Sequence, residues 1–195
     1  MNTRAALSVR SGRLLPLAVT GGIAEGKSTV MGYLREANIN CVSADDVARS
    51  VWDDPNTKEA LARFVDRSLL KDRSGLLGAM SADATLRRSV NSVLHPLILS
   101  RMVSSGAQAV EVPLLIETCL QGLFQSVWVV TCGAIEQEKR LMERLGDDQV
   151  VHGMIASQLS SEVKIVFADQ IIRTNRPPYD VHSQVVSLAR TLGLT

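Results

Sequence analysis

The chain has 195 residues, of which 46% are hydrophobic and 21% are charged. This length and composition fit one compact domain with inserted subdomains, and they exclude a disordered chain. The 21 Lys and Arg residues nearly balance the 20 Asp and Glu residues, so no broad positive field favours nucleic acid. No apolar stretch approaches the length of about 18 residues that predicts a membrane span. We therefore expect a globular protein that binds neither nucleic acid nor a membrane, and the sequence carries no signal for an oligomeric state.

The chain contains three cysteines, Cys41, Cys119 and Cys132, an odd number with no metal-ligand spacing. They indicate reduced thiols in a cytosolic protein, and Cys41 and Cys132 lie in apolar runs that are typical of buried strands. Residues 1–13 contain arginine and serine but no acid, a composition that transit peptides share. Because this stretch is short, we interpret it as an N-terminal tail or the product of an early start codon.

From residue 14 onward, segments with strand and helix patterns alternate. The apolar run 14–20 ends at paired glycines and predicts a buried parallel strand, and residues 28–37 have the apolar spacing of a helix. Further strands are predicted at residues 39–42, 110–115, 127–131 and 169–174. We therefore expect an α/β fold in three layers, with a parallel five-stranded sheet covered by helices on both faces.

Two insertions interrupt this alternation. Residues 46–108 are mostly helical, with an apolar face that is interrupted at Pro96, where we expect a new helical turn to begin. Residues 136–161 are polar and contain arginines. Both insertions follow strand ends, where open α/β sheets bind ligands. The predicted core then consists of residues 14–45, 109–135 and 162–195.

The segment from Gly21 to Ser28, GGIAEGKS, fits the phosphate-loop pattern. Its glycines allow several backbone N–H groups to face one anion, and the helix that follows adds the positive end of its dipole. Lys27 would bridge the outer phosphates of ATP, and the Ser28 hydroxyl would bind Mg²⁺. Since a carboxylate among phosphates would repel them, we expect Glu25 to point to solvent. The candidate nucleotide-binding residues in this segment are Gly21, Gly22, Ile23, Ala24, Glu25, Gly26, Lys27, Ser28 and Thr29.

A set of motifs spread along the chain resembles dephospho-coenzyme A kinase. The set comprises Thr20-Gly21-Gly22-Ile23, Gly26-Lys27-Ser28-Thr29, Ala44-Asp45 with Ala48-Arg49, Arg87, Leu94-His95-Pro96-Leu97-Ile98, Pro113-Leu114-Leu115 with Glu117, Gln137, Arg140, Arg144, Gln158, Ala168-Asp169 and Asn175. The His-Pro and Pro-Leu-Leu-x-Glu elements are distinctive of that family among phosphate-loop kinases. The resemblance implies a phosphate-loop kinase fold and a cytoplasmic enzyme of coenzyme A biosynthesis. Its reaction would use ATP and Mg²⁺ to phosphorylate the ribose 3′-hydroxyl of dephospho-coenzyme A, the last step of that biosynthesis.

The resemblance also implies roles for parts of the chain. Asp45 would be the catalytic carboxylate that orients or deprotonates the acceptor hydroxyl, and Asn175 would border the adenine. The insertion 46–108 would bind the acceptor, and the insertion 136–161 would close over both substrates as a lid. The candidate acceptor-binding residues are Asp45, Arg49, Arg87, His95, Pro113 and Leu114.

Charged residues outside the phosphate loop are further candidates. Arg140 and Arg144 are four residues apart and share one helix face, so together they could clamp the migrating phosphoryl group. Arg140 could instead form a surface pair with Glu136. Glu111 lies in the third predicted strand, where nucleotide kinases often place an acid that holds Mg²⁺ through water.

Other interpretations remain open at this point. Asp45 could be the N-cap of a helix that begins near Asp46, and His95 could simply set a turn before Pro96. The protein could also be another small-molecule kinase, such as one for nucleoside monophosphates. A catalytically inactive nucleotide-binding regulatory protein is a third interpretation, which Ser43 favours because the family has an aspartate at that position.

Overall fold

A computed structural model describes residues 15–195. The predicted N-terminal tail, residues 1–13, lies outside the described residues. The described chain forms two compact units, of which the first runs to Ser43 and resumes at Gly106–Thr195, and the second is Ala44–Ser105.

The first unit contains a parallel sheet, as the sequence predicts. Within residues 15–195 the sheet has five strands in the order β2-β3-β1-β4-β5, and every pair of neighbours is parallel. In the central strand, Leu17 is in register with Ala109 of β3 and with Ser126 of β4. The strands are β1 (Leu15–Thr20), β2 (Cys41–Ser43), β3 (Ala109–Glu111), β4 (Phe124–Thr131) and β5 (Gln170–Arg173).

Helices connect these strands and flank the sheet. In chain order the α-helices are α1 (Lys27–Glu36), α2 (Ala44–Asp53), α3 (Pro55–Leu61), α4 (Arg73–Ala82), α5 (Ala84–Ser104), α6 (Ala134–Leu145), α7 (Asp148–Ala156), α8 (Ser161–Ile165) and α9 (Pro178–Thr191). Helices α1 and α9 share one buried cluster with the sheet, to which Met31, Val185 and Trp128 belong. Strand β1 is buried along most of its length, which explains its nearly continuous apolar sequence.

The predicted strand at 110–115 is shorter than expected. Strand β3 ends at Glu111, and the Pro-Leu-Leu element that follows it forms a tight turn. In this turn the N–H of Leu115 donates to the carbonyl of Val112, and that of Leu120 donates to the carbonyl of Leu115. Pro113 has no N–H to extend a strand ladder, so the chain leaves the sheet there. This turn places the Pro-Leu-Leu element directly after the carboxyl end of β3.

The second unit consists of helices around their own apolar core. Its core residues are Trp52, Leu61, Val65, Leu70, Leu76 and Val90. The predicted interruption at Pro96 is wrong, because α5 continues through this residue from Ala84 to Ser104. Pro96 is exposed, while Val90 and Met102 on either side of it are buried. Packing on both sides of the proline therefore outweighs the loss of one hydrogen bond within the helix.

Candidate active site

The phosphate loop follows β1 and leads directly into α1. Gly21 has φ +150°, and a Cβ added there would lie 2.2 Å from the carbonyl oxygen of Val130. Gly26 has φ +92°, and its added Cβ would lie 2.9 Å from the side chain of Thr174. Any larger side chain at either position would therefore displace the loop. Since α1 begins at Lys27, the N–H groups of its first turn belong to the same segment, which is the arrangement that binds anions.

The ammonium group of Lys27 lies against the loop itself. Its Nζ donates to the carbonyl oxygen of Gly21 at 3.1 Å and to that of Gly22 at 2.8 Å. These bonds curl the loop around the lysine. A positive charge is thereby held beside the backbone of the loop.

A cavity of about 440 Å³ joins the loop to two other predicted groups. The loop and the start of α1 contribute one part of its lining, Glu111 at the end of β3 contributes a carboxylate, and α6 contributes Arg140 and Arg144. The lining residues are Ile23, Ala24, Gly26, Lys27, Ser28, Thr29, Glu111, Arg140 and Arg144. One ammonium, two guanidinium groups and a helix N-terminus thus surround one cavity, which suits a highly charged anion.

Arg140 forms the ion pair that the sequence allows, and it also lines the cavity. Its Nε donates to Glu136 Oε1 at 2.8 Å, which is the pair that the sequence allows. Its other two nitrogens donate to the hydroxyl of Thr174 at 3.2 Å and to the Thr174 carbonyl at 3.0 Å. Thr174 also donates to the carbonyl of Glu25 at 2.7 Å. Sequence reasoning missed Thr174, which connects the arginine to the phosphate loop.

The expectation that Glu25 points to solvent is wrong. Its side chain is only 1% exposed and does not line the cavity, although its neighbours in the loop do. One carboxylate oxygen accepts from the N–H of Gly22 and from the hydroxyl of Ser161, and the other accepts from the hydroxyl of Thr131 at 2.9 Å. These donors replace water around the carboxylate, so that Glu25 lies behind the loop and away from the cavity.

Comparison with known proteins shows the family of the chain. The family model described as dephospho-CoA kinase matches residues 15–177 of the chain. The dephospho-CoA kinase of Vibrio vulnificus strain YJ016 is 33% identical over 190 residues, covering 89% of this chain and 93% of the relative. That of Thermosynechococcus vestitus is 34% identical over 197 residues, covering 93% and 96% respectively.

The chain belongs to the dephospho-CoA kinase family. Its activity is therefore that of a kinase acting on dephospho-CoA, and this confirms the main functional prediction. Two solved structures support the fold. A protein of Thermus thermophilus, TT1252, has a TM-score of 0.75 and 23% identity, covering 92% of this chain and 98% of its own. The dephospho-CoA kinase of Campylobacter jejuni has a TM-score of 0.64 and 24% identity, covering 91% and 96%.

The glutamate of the family's Pro-Leu-Leu-x-Glu element has a buried partner that the sequence did not reveal. Lys164 of α8 is fully buried, and its Nζ lies 2.9 Å from Glu117 Oε1 and 3.0 Å from the carbonyl oxygen of Pro113. Burial of Glu117 opposes its ionisation. The hydrogen bonds from Lys164 and from the backbone N–H groups of Glu117 and Leu159, together with the charge of Lys164, nevertheless hold the pKa of this carboxyl below its usual range.

The remaining family residues of the first unit lie outside the cavity lining. Asn175 is exposed and directly follows Thr174, the partner of Arg140. Leu114 is exposed, and Pro113 is half-buried with its carbonyl held by Lys164. Their predicted contacts with adenine and acceptor therefore stay predictions.

The other acceptor-binding candidates belong to the second unit, and all four are exposed. Since α2 begins at Ala44, Asp45 lies within its first turn and does not precede a helix that starts near Asp46. Arg49 forms a surface ion pair with Asp46 at 3.4 Å. Arg87 donates to the carbonyl of Met80 at 3.0 Å, near the end of α4. His95 lies inside the continuous helix α5, so it does not set a turn.

The three cysteines are free thiols. Cys132 is buried as predicted, Cys41 is only half-buried, and Cys119 is exposed. Burial raises the pKa of Cys41 and of Cys132, while nearby arginines oppose the shift in both cases. These two thiols therefore ionise less readily than a free cysteine, which fits a structural role rather than a nucleophilic one. In residues 15–195, none of the helices combines the length and the apolar character that spanning a membrane requires.

Proposed function

We propose that the chain transfers the γ-phosphoryl group of ATP to the ribose 3′-hydroxyl of dephospho-CoA, with the phosphate loop as the nucleotide site. The observation that carries this proposal is the cavity in which Lys27, Arg140 and Arg144 meet the loop. Two of these cations come from an element more than 100 residues away in the chain, and each is a residue that the family motifs single out. Convergence of this kind supports a site for a polyphosphate.

The three cations would have different tasks in the transfer. Lys27, already fixed against the loop carbonyls, would contact the outer phosphates when it turns towards the nucleotide. Arg140 would face the migrating phosphoryl group from α6, with the nitrogens of its planar guanidinium bonded to Glu136 and Thr174. Fixed positive charge of this kind stabilises the charge that develops in the transition state, without the reorganisation that water would require.

The residues at the cavity also fit a magnesium ion. Ser28 and Glu111 both line it and offer a hydroxyl and a carboxylate, the oxygen ligands that Mg²⁺ prefers. These two residues would hold the ion, Ser28 directly and Glu111 through water. When bound, the ion would neutralise phosphate charge next to the scissile bond. Ser28 lies in the first turn of α1, so the loop itself would fix the position of this ligand.

Asp45 would act on the acceptor rather than on the nucleotide. Its carboxylate lies exposed in the first turn of α2, directly after β2. The ribose hydroxyl is a poor nucleophile, and a carboxylate that accepts its hydrogen bond would orient it and take its proton late in the transfer. The helical segment 46–108 would bind the rest of the acceptor, and residues 136–161 would close over the cavity as a lid. Closure would limit loss of phosphoryl groups to water. The free thiols support a cytoplasmic location.

A coupled ADP-release assay tests the proposal. The unchanged chain with ATP, Mg²⁺ and dephospho-CoA should release ADP, and the product should carry its new phosphate on the ribose 3′-oxygen, as phosphorus NMR can show. Lys27→Ala should abolish turnover, because a fixed charge at the phosphates is lost from a water-poor site, and we expect a loss well above 10-fold. Lys139→Ala removes an exposed lysine from α6 and serves as the control. A Lys27→Ala protein with a loss of about 10-fold or less would contradict the assigned loop.

A further inference from the structure

Glu25 lies in an unusual setting for a residue of a phosphate loop. A buried carboxylate requires full hydrogen bonding, since an unsatisfied charge in the interior is strongly unfavourable. The donors described above, one backbone N–H and two hydroxyl groups, are all neutral. The side chain therefore brings a negative charge close to a site for a polyanion. This charge is unfavourable for nucleotide binding unless the hydrogen bonds of Glu25 favour binding by holding the loop in place.

The donors to Glu25 come from three separate elements. Gly22 belongs to the loop itself, Thr131 is the last residue of β4, and Ser161 is the first residue of α8. A second hydrogen bond connects the loop to the same part of the chain as Ser161. The N–H of Ile23 donates to Gln158 Oε1 at 3.2 Å. The loop is thus fastened from behind to the sheet and to the segment where the proposed lid, residues 136–161, ends.

We propose that Glu25 is a positioning residue that couples the conformation of the phosphate loop to the start of α8, so that nucleotide affinity depends on Ser161. A nucleotide binds to N–H groups of the loop, which must be in the right positions. If the free loop is not yet in that conformation, the free energy of ordering it lowers the affinity for the nucleotide. A loop that is held by the Glu25 carboxylate requires little further ordering. This inference rests on the proposed nucleotide site and adds to it a residue, Ser161, that lies more than 130 positions away in the chain.

Ser161→Ala is the direct test, because it removes one donor to the carboxylate and leaves every loop residue unchanged. Calorimetric titration with ATP and Mg²⁺ should give a dissociation constant for ATP about 3- to 10-fold higher than that of the Ser160→Ala control. Hydrogen bonds to charged groups are stronger than neutral ones, and only part of the free energy of this bond acts on the loop. Ser160→Ala is the matched control. The Ser160 hydroxyl accepts from the N–H of Val163 as the N-cap of the same short helix. Ser161→Thr keeps a hydroxyl and should bind ATP like the unchanged chain.

A second experiment tests whether the effect of Ser161 on ATP affinity acts through Glu25, by making the same substitution in a Glu25 variant. In Glu25→Gln, which keeps the size of the side chain and removes its charge, adding Ser161→Ala should change ATP affinity less than twofold. A Ser161→Ala protein whose dissociation constant is less than threefold above that of Ser160→Ala would overturn the inference, as would a full effect of Ser161→Ala in the Glu25→Gln background. Lowered melting temperature without a change in affinity would mean that Ser161 only stabilises the helix. If the unchanged chain bound no ATP, the proposed nucleotide site would fail as well, so the two failures are distinguishable.

Discussion

Replacement of Lys164 by methionine should destabilise the protein more than any loss of a surface lysine. Lys164 is fully buried, and its ammonium is bonded to Glu117 and to the carbonyl of Pro113. Without it, the Glu117 carboxylate keeps, among the residues that the structure describes, only backbone N–H donors, its own and that of Leu159, and no cation within reach. Breaking a buried pair by removing one member typically lowers the free energy of unfolding by about 3–5 kcal/mol. The Glu117 side chain is 20% exposed, so we expect a loss near the lower end, about 3 kcal/mol at pH 7.

Urea denaturation followed by circular dichroism would measure this loss. Lys139→Met, which replaces an exposed lysine of α6, is the control and should change stability by less than about 0.5 kcal/mol. Adding Glu117→Gln to Lys164→Met should restore much of the stability, because no unpaired charge then remains buried. A loss below about 1 kcal/mol for Lys164→Met would refute the reasoning, since it would show that the pair contributes no more than an exposed one.

The lowered pKa of Glu117 also predicts how the stability difference between Lys164→Met and the unchanged chain depends on pH. The pKa of Glu117 is lowered in the folded chain, so its ionisation stabilises the fold above the unfolded pKa of about 4.3. That contribution is lost as the pH falls through the lower folded value. Lys164→Met lacks the cation that helps to lower this pKa, so its difference in stability from the unchanged chain should be largest at pH 7 and should shrink below about pH 4. A difference that stays constant over this range would contradict the assigned pair.

Three further substitutions test the proposed site. Arg140→Lys should lower turnover at least 10-fold with little change in melting temperature, because an ammonium cannot replace the planar guanidinium, and near-normal rates would make Arg140 a surface residue. Asp45→Asn should reduce turnover about 10²- to 10⁴-fold while ATP affinity stays nearly unchanged, and a variant that keeps more than a third of its rate would rule out the catalytic role. Gly21→Ala should abolish ATP binding in a titration, because its Cβ would lie 2.2 Å from the carbonyl oxygen of Val130; ATP affinity within twofold of the unchanged chain would contradict this clash.

Local sequence signals predicted the parts of the molecule that depend on neighbouring residues. The glycines and the lysine of the phosphate loop are recognisable in the sequence. Backbone geometry and anion binding restrict which residue types can occur at these positions, and all of them lie within one segment of eight residues. The strand pattern predicted the parallel sheet for a similar reason, since strands covered on both faces must be apolar along their length. The ends of the strands were less predictable. Strand β4 begins at Phe124, three residues before the predicted start, and Phe124 is in register with Leu15, more than 100 positions earlier.

Residues whose role depends on distant partners could not be predicted in this way. Glu25 was expected to point to solvent, because its donors Thr131 and Ser161 are 106 and 136 residues away in the chain. Lys164 has the sequence context of a surface lysine, and only the position of Glu117 explains its burial. Pro96 is a comparable case, because the packing of α5 within the second unit outweighs the local preference of proline to end a helix.

The position of β1 in the middle of the sheet has a consequence for the newly made polypeptide on the ribosome. The strand that carries the phosphate loop is synthesised before both of its neighbours, β3 and β4, which come from residues beyond 108. The contacts behind the loop arrive later still, with Ser161 and finally Thr174. While residues 161–174 are still inside the exit tunnel, a nascent chain therefore lacks the contacts that hold the loop from behind. We therefore expect the loop to become competent for nucleotide binding only after the last strand, β5, has joined the sheet.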